Sequence, residues 1–428
     1  MAYKNDTIRK SKQSGMANKK VIVIGGGAAG LMAAGTAAES GADVILLEKM
    51  ATPARKIKIT GKGRCNLSNS ADLEDFIAHF GPSGRFLRQA FNNFFSGELI
   101  DFFASQGLKL TIERGGRIFP ETADAPAVAR LLINWVKKNG VDMQTGAMVT
   151  RLLRKNDRLT GVVCNGSKIH GERVILATGG KSYPRTGSTG DGYLLAQSIG
   201  HTLVPVRPAL VPLKTNKDAV YGLTGLNLKN IKARLYVDNS RKQQMFGELS
   251  FTNYGLDGPI ILTLSSIAVD ALREDKHVVV SLDLKPALDD ERLEARLLRD
   301  LAKRAREPMA SLLRGLLPKQ LIPVCLFHAG INHDQLASQL PAIARKKLRQ
   351  WLKDFRFEII GYGSYDQAII TAGGIKTTEI NPQTMESRIA AGLYVVGELL
   401  DIHADTGGYN LQAAFSTGRV AGRAAAVS

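Results

Sequence analysis

The sequence predicts an α/β fold in which an open, mostly parallel sheet is interrupted by an antiparallel insertion. Apolar strand patterns bordered by glycine turns occur at residues 21–48, 172–180 and 392–401, and parallel strands buried on both faces have such continuous apolar runs. Between the second and third patterns, residues 207–283 carry short alternating runs, such as KARLYVD and HVVVSLDL, that are typical of antiparallel strands.

Residues 21–48 have the pattern of a Rossmann-like dinucleotide-binding unit. Gly25, Gly27 and Gly30 have the GxGxxG spacing, which supplies a tight turn, close approach of the backbone to a pyrophosphate, and close packing of helix on strand. The helix that follows presents free N–H groups and its positive end to the phosphates. Glu48 ends the second strand, where a carboxylate accepts hydrogen bonds from a ribose 2′-hydroxyl and repels a 2′-phosphate.

The rest of the chain favours FAD as the dinucleotide. Residues 172–180 (ERVILATGG) have the form by which two-dinucleotide-fold flavoproteins return to the flavin domain, and residues 392–401 (GLYVVGELLD) resemble the strand and acid that hold the ribityl chain and pyrophosphate. Gly407 and Gly408 then lead into an alanine-rich helix, whose N-terminus we expect to face the N1–C2=O edge of the flavin. The alternative is a glycine turn before a packing helix. Only one complete GxGxxG is present, so we expect NAD(P)H to bind transiently as the reductant.

Two further stretches are predicted to be helical. Phe and Leu recur at helical spacing in residues 83–107, and residues 289–305 and 332–355 are predicted amphipathic helices that open on a capping Asp or Asn. Pro308, Pro318 and Pro323 are expected to break the interval between the last two helices.

Several longer segments resemble a single family. They are RKIKITGKGRCNLSN (55–69), GRIFPETADA (116–125), ATGGKSYPRTGSTGDGY (177–193), PALVPL (208–213), LSFTNYGLDGPIIL (249–262), TAGGI (371–375) and residues 381–410, which end in TGGYN. They are similar to the BaiN/RdsA family of NAD(P)/FAD-dependent oxidoreductases, from about residue 21 to the C-terminus. GRCN and TGGYN are specific to this family.

The resemblance implies FAD binding, a reductase activity, and a flavin domain interrupted by an inserted β-barrel-like and helical region. Family members have been linked to dihydrouridine formation in large-subunit ribosomal RNA and, more loosely, to reduction of steroid-like substrates. The predicted domains are an FAD-binding domain at 21–205 and 359–428, an inserted β domain at 206–285 and a helical subdomain at 286–358. Residues 1–20 match nothing in the family and are predicted to be a disordered basic tail, with Met16 as an alternative start.

The motifs and the resemblance together predict the cofactor contacts. These are Gly25, Gly27, Ala28, Ala29, Gly30, Glu48, Lys49, Lys56, Gly63, Arg64, Cys65, Asn66, Thr178, Gly179, Gly397, Glu398, Asp401, Gly407, Gly408, Tyr409 and Asn410.

The net charge of +18 and the pI near 9.8 favour a polyanionic partner. Basic residues recur in the tail, at residues 55–64, on the predicted helices, and on the inserted segment, where the RNA-binding candidates are Lys229, Lys232, Arg234, Arg241 and Lys242. The alternative is a set of solvated helix faces. We therefore expect ribosomal RNA as a partner.

Composition narrows the class of protein further. The chain has no apolar run of the roughly twenty residues that a membrane span needs, and its first residues lack the apolar core of a secretory signal. Cys65, Cys164 and Cys325 are widely spaced, without a metal-binding pattern, and are expected to be free thiols in a reducing compartment. We expect a cytoplasmic protein without a metal site.

Reduction of a uracil C5=C6 bond needs a hydride at C6 and a proton at C5, so an acid should lie across the base from the flavin. Cys65 is the first candidate, because Lys62 and Arg64 are expected to lower its thiol pKa; the alternative is a small buried packing residue. Tyr409, His403 and Tyr183 are alternative acids.

Arg117 is expected to clamp a substrate phosphate or carboxylate, or to form a structural salt bridge.

The predicted function is FAD-dependent reduction of a uridine in 23S ribosomal RNA with electrons from NAD(P)H. The alternatives are a small-molecule flavin oxidoreductase acting on an enone, a steroid-like compound or an amine, and an RNA-binding ribosome assembly flavoprotein without turnover.

Overall fold

A computed structural model describes residues 19–427. The predicted tail up to residue 18 and the alternative start at Met16 lie outside the described residues. The described helices are α1 Ala28–Glu39, α2 Arg55–Ile59, α3 Leu73–Ala78, α4 Gly84–Asn93, α5 Ser96–Ser105, α6 Ala125–Lys138, α7 Asp191–Gln197, α8 Pro259–Arg273, α9 Asp290–Lys303, α10 Met309–Leu312, α11 Leu321–Ala329, α12 Ala342–Lys353 and α13 Tyr409–Val427.

The strands form one parallel sheet and several antiparallel sheets. They are β1 Lys20–Ile24, β2 Asp43–Glu48, β3 Ser68–Asn69, β4 Leu110–Ile112, β5 Arg117–Pro120, β6 Asp142–Thr145, β7 Val149–Lys155, β8 Arg158–Cys164, β9 Ser167–His170, β10 Arg173–Leu176, β11 Leu203–Ala209, β12 Leu213–Lys214, β13 Asn227–Val237, β14 Ser240–Phe251, β15 Gly255–Asp257, β16 Val278–Asp283, β17 Phe355–Ile359, β18 Gly361–Tyr362, β19 Ile370–Ile375 and β20 Leu393–Val395.

The parallel sheet has the order β20-β10-β1-β2-β6, and it confirms the predicted Rossmann-like fold. Helices α1 and α13 pack against each other through small residues. A Cβ atom at Gly418 would lie 2.3 Å from the carbonyl oxygen of Ala29, and one at Gly422 would lie 2.3 Å from that of Ala33. Only glycine therefore allows this backbone contact. The last strand and helix thus complete the domain that the first strand begins.

The insertion is built on a seven-stranded antiparallel sheet with the order β17-β16-β13-β14-β15-β12-β18. Its apolar face packs on α8 and on the helices that follow. The chain passes from the domain of the parallel sheet into the insertion through β11 and returns through β19. These two strands pair antiparallel. Leu210, next to this pair, and Ile370, within it, line a cavity at the C-terminal edge of the parallel sheet.

The structure corrects three predictions within the insertion. Helix α8 occupies part of a segment that the alternation predicts as strands only, although its buried residues Ile260, Ile261, Leu264, Ala268 and Val269 recur at helical spacing. The predicted helix at 332–355 begins only at Ala342, after Pro341. Pro323 does not break α11, because it is the third residue of that helix, where the backbone N–H has no partner within the helix.

No helix within residues 19–427 is long and apolar enough to span a bilayer.

Candidate functional site

A cavity runs along the C-terminal edge of the parallel sheet, where α/β folds bind ligands. It is walled by the turns that follow β1, β2 and β10, by α2 and the loop after it, and by the start of α13. Most predicted cofactor contacts line it: Gly25, Gly27, Ala28, Ala29, Glu48, Lys49, Lys56, Asn66, Thr178, Gly179, Gly397, Glu398, Gly407, Gly408 and Asn410.

The first glycine turn has the geometry that a pyrophosphate needs. Gly25 has a φ of +101°, and a Cβ atom at Gly30 would lie 1.8 Å from the carbonyl oxygen of Gly25. A Cβ atom at Gly27 would meet no atom within 4 Å, because this glycine faces the cavity. Helix α1 begins at Ala28 without a side-chain cap, so its first N–H groups are free to bind an anion.

Glu48 lies at the end of β2, as the sequence predicts, and is nearly buried. Its Oε2 atom accepts a 2.7 Å hydrogen bond from the backbone N–H of Gly26, and its Oε1 atom accepts one of 2.7 Å from Met50. Each carboxylate oxygen keeps a second lone pair. The carboxylate is thus fixed in place and can still accept a hydrogen bond from a ribose hydroxyl.

Two buried polar atoms in the cavity wall have no hydrogen-bond partner among residues 19–427. They are Oδ1 of Asn66 and Oγ1 of Thr178. Buried polar atoms are nearly always satisfied, so unpartnered atoms in a cavity wall indicate a polar ligand. A dinucleotide with polar ring edges and phosphates fits this wall.

Two ion pairs flank the cavity. The Lys56 ammonium lies 2.8 Å from Oε2 of Glu398 and donates to Oγ of Ser182 at 2.5 Å. Oε1 of Glu398 accepts from Ser182 Oγ at 2.8 Å and from the Thr371 backbone N–H at 2.7 Å. Lys49 pairs with Asp191, and this pair lowers the pKa of the Asp191 carboxyl against the opposing effect of its burial.

The final helix begins at Tyr409, as the sequence predicts. Gly407 and Gly408 have φ values of +142° and +101°, and a Cβ atom at Gly408 would lie 2.2 Å from the carbonyl oxygen of Ser68. The Asn410 amide ties the turn together, since it accepts from the Ala404 N–H at 2.9 Å and donates to the Ala404 carbonyl at 3.0 Å. The positive end of α13 therefore meets the cavity.

Seven predicted site residues lie outside the cavity wall: Gly30, Gly63, Arg64, Cys65, Asp401, His403 and Tyr409. Gly30 supports the turn from behind, and Arg64 pairs with Glu113. The ring of Tyr409 covers Gly407, at which a Cβ atom would lie 2.5 Å from Tyr409 Cε2.

The expectation for the Cys65 thiol is wrong in sign. Cys65 is fully buried, with a φ of +60°. Burial raises the pKa of its thiol to about 11, because the protein interior disfavours the thiolate, and a hydrogen bond with Thr60 only partly offsets this. The basic residues nearby do not reverse the effect, since Arg64 is paired with Glu113.

The other predicted acids also lie behind the wall. Burial raises the pKa of the Tyr409 phenol to about 12, and burial together with Asp257 raises the pKa of Tyr183. Burial lowers the pKa of His403, followed by the effect of Arg207. The Nδ1 atom of His403 is buried without a hydrogen-bond partner among the described residues. Their catalytic roles stay predictions.

Sequence reasoning missed His79 and Asp405. Nδ1 of His79 lies 3.1 Å from Oδ2 of Asp405, and Asp405 lines the cavity. Asp405 precedes the TGGYN motif by one residue, which is the one local signal that could have drawn attention to it. Nothing near His79 in the sequence points to a carboxylate 326 residues away.

Arg234 is the one of the five predicted RNA-binding cations that forms an ion pair among residues 19–427. Arg234 donates to Asp283 at 3.2 Å and to the Lys353 carbonyl at 3.1 Å, so its guanidinium is engaged within the protein; its role in RNA binding stays a prediction. Lys229, Arg241 and Lys242 are exposed, and Lys232 is half-buried. On the helices of the insertion, many basic residues form internal ion pairs: Arg296, Arg304, Arg345, Arg349 and Lys353.

A different basic cluster lies beside the cavity. The guanidinium of Arg64 is 4.3 Å from the ring centroid of Phe119, and that of Arg117 is 5.8 Å from the same centroid. A Cβ atom at Gly61, which lines the cavity, would lie 3.7 Å from Phe119. We call Lys62, Arg64, Arg117 and Phe119 the Phe119 cluster. Lys62 and Arg117 are exposed and pair with no carboxylate among residues 19–427.

The family model described as the HI0933-like protein Rossmann domain matches residues 19–424. The chain belongs to the HI0933-like family. Within this family, it is 37% identical over 409 residues to the 3-dehydro-bile acid delta(4,6)-reductase of Clostridium scindens, covering 95% of this chain and 99% of that protein. It is 30% identical over 397 residues to the ribosomal RNA dihydrouridine synthase of Escherichia coli, covering 92% and 95%. The predicted BaiN/RdsA flavoprotein family is confirmed, and with it the oxidoreductase class.

Solved structures share the fold of this HI0933-like protein. The 3-ketosteroid delta1-dehydrogenase of Sterolibacterium denitrificans superposes with a TM-score of 0.53 at 13% identity and covers 96% of this chain and 100% of its own. A flavocytochrome c3 fumarate reductase superposes with a TM-score of 0.52 at 17% identity, covering 96% and 78%. Identities this low show the fold alone.

Proposed function

We propose that this protein is an FAD-dependent reductase that adds a hydride and a proton across a C=C bond conjugated with a carbonyl group. The two relatives differ in substrate but share this chemistry. The uracil C5=C6 bond is conjugated with the C4 carbonyl, and the Δ4,6 double bonds of a 3-dehydro bile acid are conjugated with the 3-oxo group. Both substrates therefore contain a C=C bond that is polarised by a conjugated carbonyl group.

The cavity wall suits FAD. The first turn of α1 and Gly27 would hold the pyrophosphate, and Glu48 would accept a hydrogen bond from the adenosine ribose. The unpartnered side-chain oxygens of Asn66 and Thr178 would bind polar groups of FAD. FAD bound here would supply the hydride, and the first turn of α13 would present its N–H groups and positive end to the flavin. We propose NAD(P)H as a transient reductant, because the sequence carries one complete GxGxxG.

We propose a uridine of large-subunit ribosomal RNA as the substrate. The observation that carries this choice is the Phe119 cluster, beside Gly61 of the cavity wall. It places the exposed Arg117 guanidinium, which pairs with no carboxylate among residues 19–427, and the Glu113-paired Arg64 guanidinium on one ring. Guanidinium groups hold phosphates, and a small apolar substrate needs none at the rim. The net charge of +18 supports the same partner.

A small enone is the second candidate substrate. The 37% identity to the bile acid reductase extends over 95% of the chain, and Leu210, Ile369, Ile370 and Ile402 give the cavity an apolar side. A third possibility, an RNA-binding assembly factor without turnover, predicts RNA binding and bound flavin but no product.

One experiment separates these functions. Purified holoprotein is incubated anaerobically with NADPH and either unmodified ribosomal RNA or a 3-oxo-Δ4 steroid, and products are measured by mass spectrometry. Dihydrouridine that forms with wild type and falls at least 10-fold in Arg117→Gln, but not in the matched exposed control Arg299→Gln on α9, supports the RNA substrate. Reduced steroid without dihydrouridine supports the second candidate. The absence of both products contradicts the proposed activity.

A further inference from the structure

Four carboxylates line the cavity, and their partners differ in kind. Glu48 is held by backbone N–H groups, Asp191 by Lys49, and Glu398 by Lys56. Asp405 is paired with His79. An imidazole has two ring nitrogens and can receive a proton at one and give one from the other, whereas a lysine ammonium has a single nitrogen. Among these four, Asp405 alone has a partner that can pass a proton.

The pair spans the wall from cavity to solvent. Asp405 lines the cavity, and His79 lies outside the wall at the end of α3, with 29% of its side chain exposed. Nδ1 of His79 faces Oδ2 of Asp405 at 3.1 Å. The second ring nitrogen, Nε2, is therefore available on the side away from Asp405.

Packing fixes the imidazole ring. It stacks on Tyr409, with ring centroids 3.9 Å apart and planes at 23°, and Tyr409 in turn packs edge-on against Phe76 at 4.7 Å. The titratable groups around the pair include Tyr409 on α13, Asp75 on α3, which together with Asp405 raises the pKa of Tyr409, and His403, which interacts with Asp405. No lysine or arginine within residues 19–427 forms an ion pair with Asp405.

We propose that His79 and Asp405 form a proton relay from solvent into the cavity, a role that rests on the proposed function. Reduction breaks the C=C π bond, adds the hydride to the carbon β to the carbonyl, and requires one proton at the α carbon. Asp405 gives that proton, His79 passes its Nδ1 proton to the Asp405 carboxylate, and solvent reprotonates His79. Asp405 is the catalytic residue, and His79 acts through it.

The test uses His79→Gln and Asp405→Asn, both close in volume to the native residues. The Gln amide can donate a hydrogen bond to Asp405, but it cannot pass a proton from solvent to the carboxylate. The matched control is His277→Gln, since His277 also faces a carboxylate, Glu358 at 3.4 Å, far from the cavity in the insertion's sheet. FAD content and anaerobic flavin reduction by NADPH should equal those of wild type in all three variants.

Oxidation of the reduced holoprotein by RNA or steroid should slow by about 10²- to 10⁴-fold in His79→Gln and Asp405→Asn, with a changed pH profile and solvent isotope effect. Full activity of His79→Gln with an unchanged pH profile overturns the relay, because a structural role alone survives the retained hydrogen bond. Failure of wild type on both substrates contradicts the proposed function instead.

A readout independent of turnover covers that case. In holoprotein labelled with ¹⁵N-histidine, the Nδ1 of His79 should carry a hydrogen-bonded proton whose resonance shifts in Asp405→Asn and not in His277→Gln. An Nδ1 without a proton, or a resonance that ignores Asp405→Asn, overturns the relay.

Discussion

The Nζ atom of Lys56 lies 2.8 Å from Oε2 of Glu398, and less than a quarter of either side chain is exposed. Lys56 belongs to the segment before the insertion and Glu398 to the segment after it, 342 residues later. The pair therefore joins the two parts of the interrupted domain at the cavity.

Removing one partner of this pair should cost stability. Glu398→Ala leaves a half-buried ammonium and the hydroxyl of Ser182 without their acceptor, so we expect a loss of about 1–3 kcal/mol in the free energy of unfolding. The exposed pair Lys276–Glu274 is the control, where Glu274→Ala should change stability by less than about 0.5 kcal/mol. Equal denaturant midpoints for Glu398→Ala and wild type would contradict this role.

The cofactor assignment is tested at Gly27. Gly27→Glu places a carboxylate in the cavity where the pyrophosphate is proposed to lie, so FAD content should fall at least 10-fold, measured from the ratio of absorbance at 450 and 280 nm. Gly97→Glu on the exposed start of α5 is the control, because a Cβ atom there also meets no atom within 4 Å. Full FAD occupancy in Gly27→Glu would sink the assignment.

The Cys65 thiol should react slowly. A pKa raised from 9.0 to about 11 leaves roughly 100-fold less thiolate at pH 8 than an ordinary cysteine has, and burial lowers access further. Because the folded pKa is raised, the thiolate fraction should increase only as the pH approaches 11. Iodoacetamide labelling of the native protein, followed by peptide mass spectrometry, should find Cys65 unmodified after free cysteine is consumed; rapid labelling at pH 8 contradicts the buried thiol.

RNA binding should depend on the Phe119 cluster rather than on Arg234. Replacing Lys62 and Arg117 together by Gln should reduce the slope of log affinity against log salt by about 1–2, measured by filter binding. Arg299→Gln is the control for loss of an exposed cation. A slope that is the same in all three proteins would move the RNA contact elsewhere.

Arg234 should affect stability instead. Its partner Asp283 is nearly buried and is shared with Lys353, which lies 2.7 Å away. Arg234→Gln should lower the free energy of unfolding by about 2 kcal/mol, whereas Lys229→Gln on the same strand should leave it unchanged. The measurement is chemical denaturation; equal stabilities would show that Lys353 alone satisfies Asp283.

The sequence predicts the fold well where its signals are local. The GxGxxG turn, Glu48 at a strand end and the start of α13 all follow from spacing within a few residues. Helix α8 was missed because the strand pattern of the flanking segments was extended across it, although its buried residues recur at helical spacing.

The chemistry of the site was harder to predict, because it depends on burial and on contacts between distant segments. Cations near Cys65 in the sequence suggested a lowered thiol pKa, but Arg64 turns to Glu113 and desolvation dominates. Likewise, a hydrogen bond between His79 and Asp405 exists only once α3 docks beside the final glycine turn.

The 19 residues of α13 are made after everything else in the described chain, and the start of this helix forms part of the cavity wall. While the ribosome is still translating them, the nascent protein has its first glycine turn but an open pocket. FAD retention should therefore require α13, and a chain truncated before Tyr409 should be colourless.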